Sequence, residues 1–221
     1  MRYVLGRVFS TLLFGLLLFA SAGRVDWMRA WVYLAVVLLG ELLTAVVLRA
    51  VNPEILERRG NMAKDAKTYD RVFVVLWLVL SFVTPVVAGL EVRWGGDLPI
   101  PPAGMYVGLV PMLLAYLLGA WAMAVNEHFE LLARIQTDRG HRVVSSGPYR
   151  IVRHPGYLAA IVGSLAAPLI LGSLWAFAPV AAGALLFSAR TALEDRTLRE
   201  ELAGYPEYAS RTRYRLLPGI W

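Results

Sequence analysis

The sequence predicts an all-α, polytopic membrane protein with five to six transmembrane segments, a C-terminal helical hairpin among them, and a cytoplasmic C-terminal helix. Three observations predict it. First, 58% of the 221 residues are apolar and 17% are charged, against about 25% charged in soluble domains. That composition excludes a disordered chain and an ordinary soluble domain. Second, four apolar runs, 4–22, 31–48, 72–90 and 103–125, each approach the ~20 residues a helix needs to cross a bilayer core. Third, the Lys and Arg residues segregate strongly by side, as set out below.

The first run is interrupted only by Arg7. Arg2, Arg7 and Ala20-Ser21-Ala22 also look like a signal peptide with a small-residue cleavage site. The run is long for a signal core, so a retained span is expected. The second run holds one ionisable residue, Glu41. A carboxylate inside a membrane is a functional candidate; Glu41 is expected to line a tunnel or to pair with Arg49. The third run carries Thr84-Pro85, which predicts a kink. Before it, residues 62–70 (MAKDAKTYD) read as a solvated loop, with a surface-lying amphiphilic stretch as the alternative. After it, residues 95–102 (GGDLPIPP) read as an outer turn.

Residues 157–189 carry no charge over 33 positions, too long for one span. Pro168 and Gly172-Ser173 supply a break. The region therefore reads as a hairpin of helices near 156–170 and 174–190. Residues 191–202 (TALEDRTLREEL) read as a further helix, ended by Gly204-Tyr205-Pro206.

With the hairpin, the N-terminus, the 49–71 and 127–153 loops and the tail share one side. That side holds 19 of the 22 Lys and Arg residues. Without the hairpin the division falls to 13 against 9. The positive-inside rule then places both termini and the long loops in the cytoplasm, in an inner or plasma membrane. Trp27, Trp31, Tyr33 and Trp94 fit an outer aromatic belt. The net charge of +6 thus reads as topology, with no nucleic-acid partner. The chain has no cysteine, which excludes disulfides, thiolate metal sites and Cys nucleophiles.

Two units follow: residues 1–125, the N-terminal membrane helices, and residues 126–221, which carry the chemistry. The stretch 126–157 (NEHFELLARIQTDRGHRVVSSGPYRIVRHPGY) holds all three His residues. No pair has HExxH spacing, so no metal site is expected. Pro155 suits the first turn of a helix, whose free N–H groups, beside Arg153 and His154, make an anion site. The alternative is a basic cap on lipid phosphate. In the tail, Glu194 and Glu201 share a helix face and would complement an amine, a ribose diol or a sulfonium. The alternative there is a solvated amphipathic helix with an interfacial anchor.

The string G-P-Y-x-x-x-R-H-P-x-Y at positions 147–157, an apolar hairpin, Glu194-Asp195-Arg196-Thr197-Leu198, and Gly204-Tyr205, Tyr208, Arg211 and Arg215-Leu216-Leu217-Pro218 resemble the isoprenylcysteine carboxyl methyltransferase family. Asn52-Pro53-Glu54 and Arg134-Ile135-Gln136 through Asp138-Arg139-Gly140-His141 resemble its bacterial branch. The resemblance is close over 126–221 and looser before it. It implies an integral-membrane methyltransferase that uses S-adenosylmethionine without a Rossmann domain. It also implies a lipid-like or prenylated substrate that enters sideways from the bilayer. By position it implies a cofactor site of Gln136, His141, Gly147, Tyr149, Arg153, His154, Pro155, Tyr157, Glu194 and Asp195, with Arg153 and Glu194 catalytic. The chain departs from the family at Asp195, which replaces a second glutamate, and at Ala159, where a glycine is usual.

Methyl transfer to a carboxylate needs no general base, because carboxyl groups are ionised near pH 7. Alignment supplies most of the gain. Glu194, with Asp195, is expected on the cofactor's ribose or amino group. Arg153 is expected on its carboxylate or on an anionic substrate, and Tyr149 and Tyr157 on its adenine or methionyl chain. A related enzyme that methylates a lipid amine, with His154 or Glu194 as base, is one alternative. A nicotinamide-dependent sterol reductase is another, disfavoured by the short chain and the RHPxY spacing. A membrane scaffold or transporter is a third. Against that last reading, polarity clusters at one mouth and not at the midplane, where transporter sites lie.

Overall fold

The computed structural model describes residues 2–58, 67–95, 99–130 and 134–221. They form eight helices and no strand among the described residues. These are α1 (Arg2–Ala22), α2 (Met28–Val51), α3 (Pro53–Arg58), α4 (Thr68–Trp94), α5 (Pro102–Val125), α6 (Pro155–Leu171), α7 (Phe177–Glu201) and α8 (Tyr205–Arg211). Short 3-10 turns occupy Thr137–Arg139 and Gly147–Arg150. Helices α1, α2, α4 and α5 are long and apolar enough to cross a membrane, and α6 is a shorter apolar helix. The chain is a polytopic helical membrane protein.

Six helices close into a ring in the spatial order α1, α2, α5, α6, α7, α4, and α2 also touches α6. Small residues let the helices approach, as in other membrane bundles. A Cβ at Gly40 on α2 would overlap the Tyr116 ring on α5, and one at Gly108 on α5 would meet α6. Leu12, Leu16, Leu43, Val75, Val79 and Leu117 point outward and exposed. A surface of this kind suits a lipid surround.

At one end the α6–α7 turn is locked by a buried carboxylate. Glu91 on α4 accepts hydrogen bonds from the Ser173 hydroxyl and, at 3.0 Å, from the Trp175 amide. Gly172, with φ of +85°, makes the turn. At the other end, α3 carries Ile55 into a cluster with Leu48 and Met123, against which Phe129 packs. Asn52 donates to the Met123 carbonyl at 3.2 Å. The Asn-Pro-Glu element thus seats the loop that follows α5.

Four expectations change. The helix expected at 191–202 is no separate element: α7 runs unbroken from Phe177 to Glu201. The onset of charge at Arg190 is not a boundary, because Asp70 on α4 pairs with it inside the bundle. Gly-Tyr-Pro ends α7 and also starts α8, with Gly204 at φ of +81°. Trp27 is 5% exposed and packs with Leu18, Ala30 and Leu34; of the expected belt, Trp31 and Trp94 are exposed. Glu41 pairs with α1 and not with Arg49: it accepts from the Tyr3 hydroxyl at 3.1 Å and lies 3.5 Å from Arg7. Residues 62–66, within the loop expected over 62–70, and residues 96–98 of the expected outer turn lie outside the described residues.

Candidate active site

The loop after α5 is organised around Gln136, which is 1% exposed. Its amide nitrogen donates to the His128 carbonyl at 2.7 Å, and its amide oxygen accepts from Arg139 at 2.8 Å. The His128 Nε2 lies 3.4 Å from the Arg142 backbone amide, and its Nδ1 lies 3.4 Å from the Gln136 side-chain oxygen. His141 stacks obliquely on His128, and its Nδ1 accepts from the Gln136 backbone N–H. Burial and the neighbouring His128, Arg134 and Arg139 lower its pKa to about 4, so it is neutral at pH 7.

Gly147 opens the next turn at φ of +55°, and a Cβ there would sit 3.0 Å from the Trp121 indole nitrogen. Tyr149 follows, buried. Its hydroxyl accepts from Asn126 at 2.9 Å, and its carbonyl accepts from the Tyr208 hydroxyl at 2.7 Å. Burial pushes its phenol pKa up. The chain then runs beside the tail: the Arg153 and His154 amides donate to the Tyr214 and Arg215 carbonyls.

Asp195 is the hub of this end and is fully buried. It accepts from Arg153 Nε at 2.6 Å and Nη2 at 3.0 Å, from Arg199 and Arg215, and from the Tyr205 hydroxyl. Burial alone would raise its pKa; the facing His154 ring and the Arg153 guanidinium hold it well below the ordinary carboxylate range. Arg153 Nη1 donates to the Thr212 and Arg213 carbonyls. Its donors therefore serve the protein's own framework.

These elements enclose a cavity of about 900 Å³, its open mouth included. Seven of the expected site residues line it: Gln136, His141, Tyr149, Arg153, His154, Tyr157 and Glu194. Gly147, Pro155 and Asp195 stand behind the wall and shape it. Pro155 starts α6, and Gly156 lets the Phe129 ring lie against the helix, 2.6 Å from where a Cβ would be. The Tyr157 hydroxyl donates to Glu194, and the ring stacks on His154. His154 Nε2 is buried, 3.6 Å from Asp195, and has no hydrogen-bond partner. Ala159 faces Gly119 on α5, so the small residue sits on the opposite helix. Among the described residues no three His, Asp or Glu side chains are placed to hold a metal ion.

Tyr69, Asn126, His128, Phe129, Tyr205 and Tyr208 also line the cavity. The string Asn-Glu-His-Phe-Glu just beyond α5 was the available signal for three of them, and nothing local marks Tyr69. A second cavity, of about 640 Å³ with its open side included, is lined by Phe14, Tyr33, Trp77, Ile161, Val180 and Phe187 among others. Tyr157 in the first wall and Phe187 in the second lie ring to ring, 5.6 Å apart.

Residues 106–200 match the isoprenylcysteine carboxyl methyltransferase family model. The chain is 31% identical over 136 residues to the cobalt-zinc-cadmium resistance protein CzcN of Cupriavidus metallidurans, covering 61% of this chain and 58% of that one. It is 29% identical over 118 residues to a probable protein-S-isoprenylcysteine O-methyltransferase of Oryza sativa subsp. indica, covering 48% of this chain and 57% of that one. The japonica protein gives the same values. The chain thus spans less than three fifths of the length of the curated relatives it matches. The matched segment takes in most of α5, the loop, α6 and nearly all of α7.

Proposed function

We propose, from the match of residues 106–200 to the isoprenylcysteine carboxyl methyltransferase family, that the chain is an integral-membrane methyltransferase using S-adenosylmethionine. Its acceptor is the carboxylate of a lipid-tailed molecule of isoprenylcysteine type, and its loop end faces the cytoplasm. The observation that carries this reading is a pair of neighbouring cavities, one polar with Glu194 in its wall and the other mostly apolar, whose walls meet where Tyr157 lies 5.6 Å from Phe187.

The residues present fit such a cofactor. When bound, S-adenosylmethionine supplies an electrophilic methyl group on a sulfonium. Glu194 complements a cation, and the rings of Phe129, Tyr149 and Tyr157 offer faces that attract one. His154, in the same wall, faces Asp195 with its Nε2 and stacks its ring on Tyr157. Arg153 has a different part from the one its motif suggests: it fixes the loop to the tail and so sets the shape of the mouth. An acceptor with its tail in the apolar cavity presents its head group at the Tyr157–Phe187 contact. A carboxylate arrives there already ionised, so this chain needs only to align it and keep water out.

A specific observation favours a second reading, a lipid amine acceptor. Arg153 and Arg190 each already hold a buried aspartate, Asp195 and Asp70. Incubation of membranes with deuterated-methyl S-adenosylmethionine, followed by mass spectrometry, separates the readings. An alkali-labile methyl on a lipid-tailed carboxyl is expected; an alkali-stable methyl on nitrogen supports the second reading; no transfer overturns both. Calorimetry in detergent on Glu194→Gln and His154→Ala tests the cofactor residues, and wild-type affinity in both overturns their assignment.

A further inference from the structure

We propose that Asp70 is a positioning residue of this site, holding Arg190 away from Glu194 so that Glu194 keeps its charge for the cavity. The proposal rests on reading the polar cavity as the cofactor site. Asp70 lies on α4, outside the segment 106–200 that matches the family, and it does not line the cavity.

Arg190 sits on α7 exactly one i,i+4 step before Glu194, the spacing at which a cation and a carboxylate on one helix meet. In the structure its close contacts go to Asp70, and Glu194 acts on it only through space. Its Nε lies 2.7 Å from Asp70 Oδ1, and its Nη2 donates to Oδ2 at 3.0 Å. Asp70 is fully buried and Arg190 nearly so. The guanidinium carbon lies 4.3 Å from the Phe73 ring centre and 4.8 Å from that of Tyr157. Asp70 thus fixes Arg190 from one side while two aromatic faces fix it from the others. Tyr157, backed by that cation, is left to bind Glu194.

If the Asp70 charge is removed, Arg190 remains a buried cation without its carboxylate, a costly state. The carboxylate one turn along its own helix is Glu194. Arg190 then swings to Glu194, takes the place of the Tyr157 hydroxyl and neutralises the anion in the cavity wall. Removing both charges together ends this competition, because a buried ion pair replaced by apolar groups is often tolerated.

The test uses the full chain in detergent, with S-adenosylmethionine as the calorimetric probe. Asp70→Asn is expected to weaken binding about tenfold, equivalent to ~1.4 kcal/mol. Asp70→Asn with Arg190→Met is expected to recover affinity to within about threefold of wild type. Glu91→Gln, which disturbs a buried carboxylate at the other end of α4, controls for lost stability and is expected to bind as wild type. Wild-type affinity in Asp70→Asn, no recovery in the double variant, or an equal loss in Glu91→Gln overturns the proposal. A wild-type chain that binds no S-adenosylmethionine overturns the cofactor reading instead. Hydrogen exchange over 155–160 then decides the positioning. Faster exchange in Asp70→Asn than in the double variant is expected, and equal exchange overturns it.

Discussion

Arg153 grips Asp195 through two parallel hydrogen bonds, of 2.6 and 3.0 Å, with both side chains almost wholly buried. The fork-to-fork geometry is specific to a guanidinium and a carboxylate. The same arginine holds two carbonyls of the segment after α8. One contact therefore joins the start of α6, the end of α7 and the tail. Asp195→Asn leaves a buried cation facing a neutral group, and a loss of about 3 kcal/mol is expected. Limited trypsin digestion checks it: cleavage within 204–221 should precede any cleavage elsewhere in the variant. A digestion order equal to that of wild type would remove Asp195 from this role.

Acidification should loosen this end of the molecule in two stages. His141 has its pKa lowered to about 4 by burial and by its cationic neighbours. Its neutral form belongs to the folded state, so its contribution is complete above the unfolded value near 6.5 and is lost as pH falls from there toward 4. Asp195, also lowered, contributes fully above the ordinary carboxylate value near 3.9 and loses that contribution below it. A melting series from pH 7.5 to 4.5 should fall steadily in wild type and flatten in His141→Gln. Parallel curves would assign the upper stage to another group.

Gly156 is required by a ring and not by its backbone angle. A Cβ there would stand 2.6 Å from Phe129, which lines the polar cavity. Alanine is the better helix former by roughly 1 kcal/mol, so Gly156→Ala should keep α6 and displace Phe129. The expected result is weaker binding of S-adenosylmethionine with a melting temperature close to wild type. A parallel fall in both would mean that the helix itself is disrupted.

The spans were legible because bilayer thickness sets a length that an apolar run either meets or does not. The cavity wall was legible because Gly147–Tyr157 places its residues consecutively, so local spacing carries the geometry. Longer-range partnerships were not. Arg190 reads as the end of a span until Asp70, 120 residues earlier, is seen beside it. Glu41 finds Arg7 across a helix pair, where its own helix offers Arg49. Asp195 reads as a shortened cofactor ligand, but the donors that converge on it come from three separated segments. Trp27 reads as an interfacial ring, yet the close approach of α1, α2 and α4 buries it.

The apolar cavity can be narrowed without strain at Gly183. This glycine lies on α7 in the cavity wall, and a Cβ built there meets nothing within 4 Å. Leucine is a far better helix former than glycine, by about 0.8 kcal/mol or more, so Gly183→Leu should not destabilise α7. Its side chain would occupy space that the proposed function assigns to the acceptor's tail. Affinity for S-adenosylmethionine should stay at the wild-type level, because Gly183 does not line the polar cavity. Transfer to long-tailed acceptors should fall with a raised KM, while transfer to short-tailed ones persists. Steady-state kinetics across acceptors of graded tail length checks this. A uniform fall in kcat for all lengths would show that the tail does not lie along α7.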